Sequence, residues 1–468
     1  MRDVATIEKL GKPATFIVSK HFGPSASFNA KAESVPDISL TLLPLDTVPK
    51  PNEIEESKLG EQVAEGVITA LCQRWSPSVE VGEATEKTLV FSGSDYSEAV
   101  ENMEKYFLQH CWSDGFPLVP PTQEAVNRML EGTELSRDYL VAIVEPGGGK
   151  LTMEKIAINA VMAGCLPQYM PTILAAVEAI TDPLFDLRGV QCTAGMVSPL
   201  LIVSGPELIK QLNINDSFST IGPGWRANTT IGWAIRLIMI NTGYGWPGRN
   251  DMKTFGSPFK YVPLMAENES AYSDAWEPIR VAEGFDHSQP TVSVMPAVSW
   301  QVDSIRAHAL TAGKIIERIS KQGQVKYDKV VSYWGKDNLV LLSPSIFDAI
   351  RKEGLSRIDV QKALYDMILG PCLEFYDDNE PAAKVGAVEV PEWVAQKCCE
   401  DPKALVPLLR EPQNIKIVVA GAPGPAMIGY VCTWGAGPAF FITKPVKSPR
   451  NRDNLLEKYG GWETPIVK

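Results

Sequence analysis

The chain has 468 residues, 45% of them hydrophobic and 21% charged, which is the composition of a globular protein and excludes global disorder. Lys and Arg total 44 against 56 Asp and Glu, a formal charge of −12, so nucleic-acid backbones and anionic membrane surfaces are poor partners. The length allows two or three domains, with a core large enough to need no metal or disulfide staple.

Only 4 His and 8 Cys are present, and no pair has Cys-x-x-Cys or His-x-x-x-His spacing. The nearest approach is the vicinal Cys398-Cys399. Structural zinc needs clustered ligands and a redox dithiol needs close spacing, so neither a metal site nor a cofactor is expected. Prolines interrupt the uncharged stretches 156–177 and 417–443, which therefore suit buried core better than a membrane span. A soluble, cytoplasmic protein is expected.

In chain order, residues 1–75 alternate apolar runs at 13–18 and 38–43 with helical patterns at 25–33 and 61–72. That is strand, helix, strand, helix: a small parallel α/β layer. Residues 76–95 are polar, acidic and turn-rich, and suit a linker or a crossing strand. Asp95 and Glu98 form a capping box opening a helix to His110, with Tyr96, Val100, Met103 and Phe107 on one face. The middle block, 96–310, places a strand at 140–144, a helix from Thr152 and another ending near Asn241. The third block, 325–468, has a strand at 339–342, helices at 345–351 and 359–368, and a β-rich end from Ile415. The fold class is α/β: a small parallel N-terminal layer followed by larger mixed α/β (α+β) domains.

The strongest local signal for chemistry is Glu145-Pro146-Gly147-Gly148-Gly149-Lys150 between a strand and a helix. Free backbone N–H groups and a helix dipole at such a junction can receive an anion; a tight surface turn is the plainer alternative. Asn159 lies inside the apolar helix that follows, where a side-chain amide needs either a neighbouring loop or a ligand. A second junction, Ile221 to Thr230, carries Arg226, able to clamp a carboxylate, and Asn228, able to cap the next helix. The proton-transfer candidates are carboxylates: Glu154, the Glu267/Glu269 pair near Trp276, and Asp114 on a Gly/Pro-rich turn. Each could equally be a capping or solvated group. His308, near a helical pattern at 303–310, suits a partner of a carbonyl. Cys192, with no basic residue within three positions in sequence, is expected to be a buried, inert thiol.

Several stretches carry a resemblance. Leu10-Gly11-Lys12-Pro13-Ala14 and Val35-Pro36-Asp37-Ile38 resemble the UGSC family, named for its selenocysteine-Gly-Ser-Cys motif and often found as cysteine variants. The middle block is similar to the companion region of its multidomain members at Val119-Pro120-Pro121-Thr122, Lys155 to Cys165, Arg226 to Gly232, and Ala266 to Glu269 before Trp276-Glu277-Pro278. The resemblance implies thiol or selenol chemistry. This chain departs from it where the motif should precede Gly11-Lys12-Pro13, since no Cys stands there. No redox residue is therefore carried over.

These readings point to an enzyme of small-molecule metabolism acting on an anionic, carboxylate-bearing substrate by lyase-, hydratase- or hydrolase-like acid–base chemistry. Gly147, Gly148, Gly149, Lys150 and Arg226 would hold the anion, Asn159 and Asn228 would orient it, and Glu154, Glu267 or Glu269 would move protons. The rivals are a thiol-dependent oxidoreductase using Cys192, Cys165 or the vicinal pair, and an accessory subunit of a motif-bearing partner. A homo-oligomer is expected, because an apolar first strand with no preceding strand leaves a sheet edge open.

Overall fold

The computed structural model describes residues 2–32, 38–43, 59–72, 88–272, 276–306, 310–324, 337–372, 391–434 and 439–460, with four two-residue strands between 376 and 389. The fold is mixed α/β. The N-terminal layer runs α1 (Arg2–Lys9), β1 (Thr15–Ser19), α2 (Gly23–Ala32), β2 (Ser39–Leu43) and α3 (Leu59–Cys72). β1 and β2 pair in parallel, from Thr15↔Ser39 to Ser19↔Leu43. A strand-to-strand parallel step needs a crossover, and α2 supplies it. The residues ahead of β1 form a helix that packs into the layer: Ala5 joins Ala30 and Ile38 in a small core, and Glu8 accepts the Ala14 N–H at 2.5 Å.

After it come α4 (Tyr96–Gln109), α5 (Gln123–Leu130), β3 (Leu140–Val144), β4 (Gly149–Thr152), α6 (Met153–Met162), α7 (Met170–Ile180), α8 (Leu187–Cys192), β5 (Ser198–Ser204), α9 (Pro206–Leu212), α10 (Arg226–Asn241), β6 (Leu264–Ala266), α11 (Ile279–Ala282) and β7 (Thr291–Ser304). The rest is α12 (Ala312–Gly323), β8 (Asn338–Leu342), α13 (Pro344–Lys352), α14 (Arg357–Met367), β9 (Leu369–Pro371), α15 (Glu392–Glu400), β10 (Leu405–Pro407), β11 (Ile415–Val419), β12 (Met427–Thr433), β13 (Ile442–Pro445) and α16 (Arg452–Tyr459).

The central sheet has seven strands in the order β11-β8-β12-β7-β5-β6, with β13 beside β7. The blocks read at 96–310 and 325–468 thus build one sheet, joined where β7 pairs antiparallel with β12. β7 extends to Ser304, so the helical pattern from Asp303 is a strand end instead; His308 lies outside the described residues. Alternation divides the sheet's faces. Leu201, Val203, Val292 and Val294 pack with α6, α7 and α10 in the largest core. Val340, Leu342, Ile417, Ile428 and Tyr430 pack with α12 to α14 in a second. Leu200, Ile202, Met265, Met295, Leu341 and Val431 point the other way and fill a third.

Cys398 is bonded to Cys372, not to its neighbour, and Cys399 is exposed and free. Both bonded residues are buried; the bridge ties the end of β9 to α15, although a core of this size has no need of one. No described helix is long and apolar enough to cross a membrane.

Candidate functional site

The glycine run is not a strand-to-helix junction. β3 and β4 form an antiparallel hairpin, Gly147 and Gly148 lie at its turn, Gly149 opens β4, and α6 starts only after β4, capped by Thr152. The Gly147 N–H is bonded to Gly243 O at 3.0 Å and the Gly148 N–H to Val144 O at 3.0 Å. Two of the donors expected to meet an anion are therefore already satisfied. The glycines answer to packing: a Cβ on Gly147 would lie 2.1 Å from Tyr244 Cδ2, and one on Gly149 would lie 2.1 Å from Thr242 O. Lys150 is exposed, and its carbonyl accepts from Lys155 Nζ at 2.7 Å.

The other expected residues are placed elsewhere. The hairpin turn packs just past the C-terminal end of α10, whereas Arg226 is the first residue of that helix. Sixteen residues of α-helix separate the two by about 24 Å, which is beyond the reach of the two side chains, so they do not converge. Arg226 donates from Nε to Gly164 O at 2.8 Å. Asn228 does not cap α10, whose cap is Trp225 without a side-chain bond. Its buried amide instead accepts from Asn215 N at 2.8 Å and donates to Asn215 O and Thr220 O, pinning the loop before the helix. Asn159 donates to Lys155 O at 2.7 Å and accepts from Asn241 Nδ2 at 2.7 Å. Glu154 pairs with Arg137.

Glu267 and Glu269 come together at the end of β6, each with its own partners. Glu267 is fully buried; it accepts from Ser204 Oγ at 2.7 Å, Tyr272 Oη at 2.7 Å and Ile279 N at 2.9 Å. Burial raises its pKa. Glu269 forms a fork with buried Arg280, Oε2 to Nη2 at 2.6 Å, and also accepts the Gly205 N–H at 2.6 Å. This is the bidentate geometry that Arg favours. Both carboxylates clamp strand ends.

Cys165 and Cys192 are poorly suited to thiolate chemistry. Burial pushes Cys165 up to about 12, and its thiol donates to Thr230 O at 3.2 Å. Burial likewise pushes Cys192 up to about 11. Among the described residues no three His, Cys, Asp or Glu are grouped to hold a metal ion.

A different site emerges beside the middle of α10. A cleft of about 790 Å³ lies in the size range of small-molecule pockets, ~300–1,000 Å³. It is lined by Asp114, Arg236, Lys260, Trp246, Phe255 and Tyr261, among others. Arg236 is 7% exposed, and among the described residues none hydrogen-bonds its guanidinium. Burial lowers its pKa, and Asp251 and Asp114 act in the opposite sense. Below it, buried Asp251 holds Lys260 at 2.5 Å and buried Lys253 at 3.5 Å. Lys253 also donates to Val190 O at 2.9 Å and Gln191 O at 3.1 Å, and burial pushes it down to about 8. Three cations thus face two carboxylates in and beneath the cleft.

Local sequence explains the arrangement. Trp233 and Arg236 lie three residues apart on α10, so they share a face. The Trp233 indole N–H donates to both Asp114 oxygens at 3.2 Å, and Phe116 bridges Trp233 and Tyr261 with centroids at 5.3 and 5.4 Å. Gly232 lets the 258–262 segment meet α10, since a Cβ there would lie 1.8 Å from Val262 O. Of these residues only Asp114 stood out in the sequence. Arg236 carried a signal all the same: it is a lone charge in the apolar run Ile231 to Ile240, expensive to bury without a use. No family model matches the chain and no curated protein matches it.

Proposed function

We propose that the chain is an enzyme of small-molecule metabolism that takes a carboxylate-bearing substrate in the Arg236 cleft and works on it by general acid–base chemistry. The observation that carries this reading is the buried guanidinium without a hydrogen-bond partner among the described residues, facing a cleft. Other buried charges of the described residues have ion-pair partners, Glu269 with Arg280 and Asp251 with Lys253 and Lys260. A buried cation left open is costly and makes sense where an anion completes it. Arg236 and Lys260 would hold the carboxylate. Asp114, oriented by the Trp233 N–H, is the carboxylate on the cleft able to accept and return a proton. This moves the site away from the Gly147 and Gly148 N–H groups, Arg226 and Glu267, which already have protein partners, and from Lys150, which is exposed. Lyase-, hydratase- and hydrolase-like reactions all fit such a set. The raised Cys165 and Cys192 pKa values favour this reading over thiol catalysis.

The test is a thermal-shift panel of organic carboxylates, followed by turnover of those that bind. A ligand at 100 times its Kd should stabilise the protein by about 2.7 kcal/mol. Asp114→Asn should keep the shift and lose turnover. A panel with no stabilising carboxylate, or full turnover by Asp114→Asn, would overturn the assignment.

A further inference from the structure

We infer that the substrate is an aromatic monocarboxylate, an inference that rests on the cleft being the anion site. Charge sets the first limit. Arg236, Lys253 and Lys260 face Asp114 and Asp251 in the linings of the cleft and the pocket beneath it, a net of one positive charge. A monoanion neutralises it, whereas a dianion would leave a second negative charge beside Asp114 and Asp251.

Shape and surface set the second. The cleft is lined as well by Leu108, Trp246, Phe255 and Tyr261. Phe255 is 88% exposed and Tyr261 60% exposed, so two of the cleft's three aromatic walls are largely uncovered, while Trp246 is half-buried. Large aromatic surface left open at a concave, charged site marks a place that a ligand covers. Tyr261 is held against Phe116, and Phe116 against Trp233, so one wall is built of fixed ring planes. A flat ring can stack there while its carboxylate reaches the guanidinium, adding ring–ring attraction to the area it buries. A small anion such as acetate would satisfy Arg236 and leave that wall open.

The experiment is calorimetric titration of the full chain at low ionic strength with three probes: benzoate, acetate and phthalate. Benzoate is expected to bind at least ten-fold more tightly than acetate or phthalate. Phe255→Ala, at a side chain too exposed to matter for folding, is expected to weaken benzoate at least five-fold and leave acetate unchanged. Acetate or phthalate binding as tightly as benzoate, or benzoate unaffected by Phe255→Ala, overturns the aromatic monocarboxylate and leaves the anion site standing. Failure of all three probes to bind overturns the anion site as well.

Discussion

Replacing Glu267 by alanine should be among the most damaging single changes in the protein, for a structural reason. The side chain accepts from Ser204 Oγ, Tyr272 Oη and Ile279 N, and Tyr272 Oη in turn accepts from Val419 N at 3.1 Å. One buried carboxylate thus ties the end of β5, the start of α11 and the end of edge strand β11. Alanine leaves three buried donors without an acceptor, at ~1–3 kcal/mol each. The Ser204 hydroxyl can turn elsewhere and water can enter the space, so a net loss of about 3–5 kcal/mol is expected. Glu267→Gln keeps an acceptor for Tyr272 and Ile279 and lets the Ser204 hydroxyl reverse, so it should cost about 1 kcal/mol or less. The two also differ with pH. Burial raises the Glu267 pKa, so at pH values between the ordinary 4.5 and the raised native value the native state binds more protons than the unfolded chain. That stabilisation is complete below the ordinary value of 4.5 and is lost as pH rises through the raised native value. Wild-type stability should fall across that window, and Glu267→Gln should flatten the fall. Urea unfolding followed by tryptophan fluorescence measures both effects. A loss under 1 kcal/mol for Glu267→Ala, or equal losses for the two variants, would refute the clamp.

Gly232→Ala should cost about 2–3 kcal/mol by overpacking, because its Cβ would lie 1.8 Å from Val262 O; it should also weaken anion binding by shifting Lys260, as denaturation and titration on one sample would show. Lys253 is pushed down to about 8, so anion affinity should fall several-fold as pH rises through 8, and Lys253→Met should remove that dependence. The same shift means that the unfolded chain holds more protons than the native one between about 8 and the ordinary 10.5. Folding stability contributed by this group therefore rises across that window, which unfolding at pH 7.5 and 10 would register.

Much of the fold was legible because its signals are local. The β1 and β2 runs, the Asp95 cap, accepting from Glu98 N at 3.0 Å, and the strands read at 140–144 and 339–342 follow from apolar periodicity and capping chemistry. What sequence did not give is pairing. Nothing in β7 or β12 says that strands from two blocks lie side by side, and nothing near Cys398 says that Cys372 rather than Cys399 meets it. The site suffered most from this. Glycines read as anion donors were there for close approach to Thr242 and Tyr244, a long-range contact with the same sequence signature. Arg236 and Asp114 are 122 positions apart and become one site only through α10, the turn before Leu118 and the long loop ahead of β6. The length of that loop, residues 242–263, was a usable sign, since connections beyond about 12–15 residues are commonly functional.

The most direct measurement is made on Arg236→Met, reading stability and benzoate affinity on the same preparation. The guanidinium is buried without a hydrogen-bond partner among the described residues, and Asp251 retains Lys253 and Lys260. A site built for an anion should therefore lose binding without losing the fold: an unchanged or raised melting temperature, with affinity down at least ten-fold, since hydrogen bonds to a charged group contribute ~1.5–3 kcal/mol. Unchanged affinity, or destabilisation beyond about 2 kcal/mol of the kind a structural arginine produces, would contradict the assignment of this cleft as the substrate site.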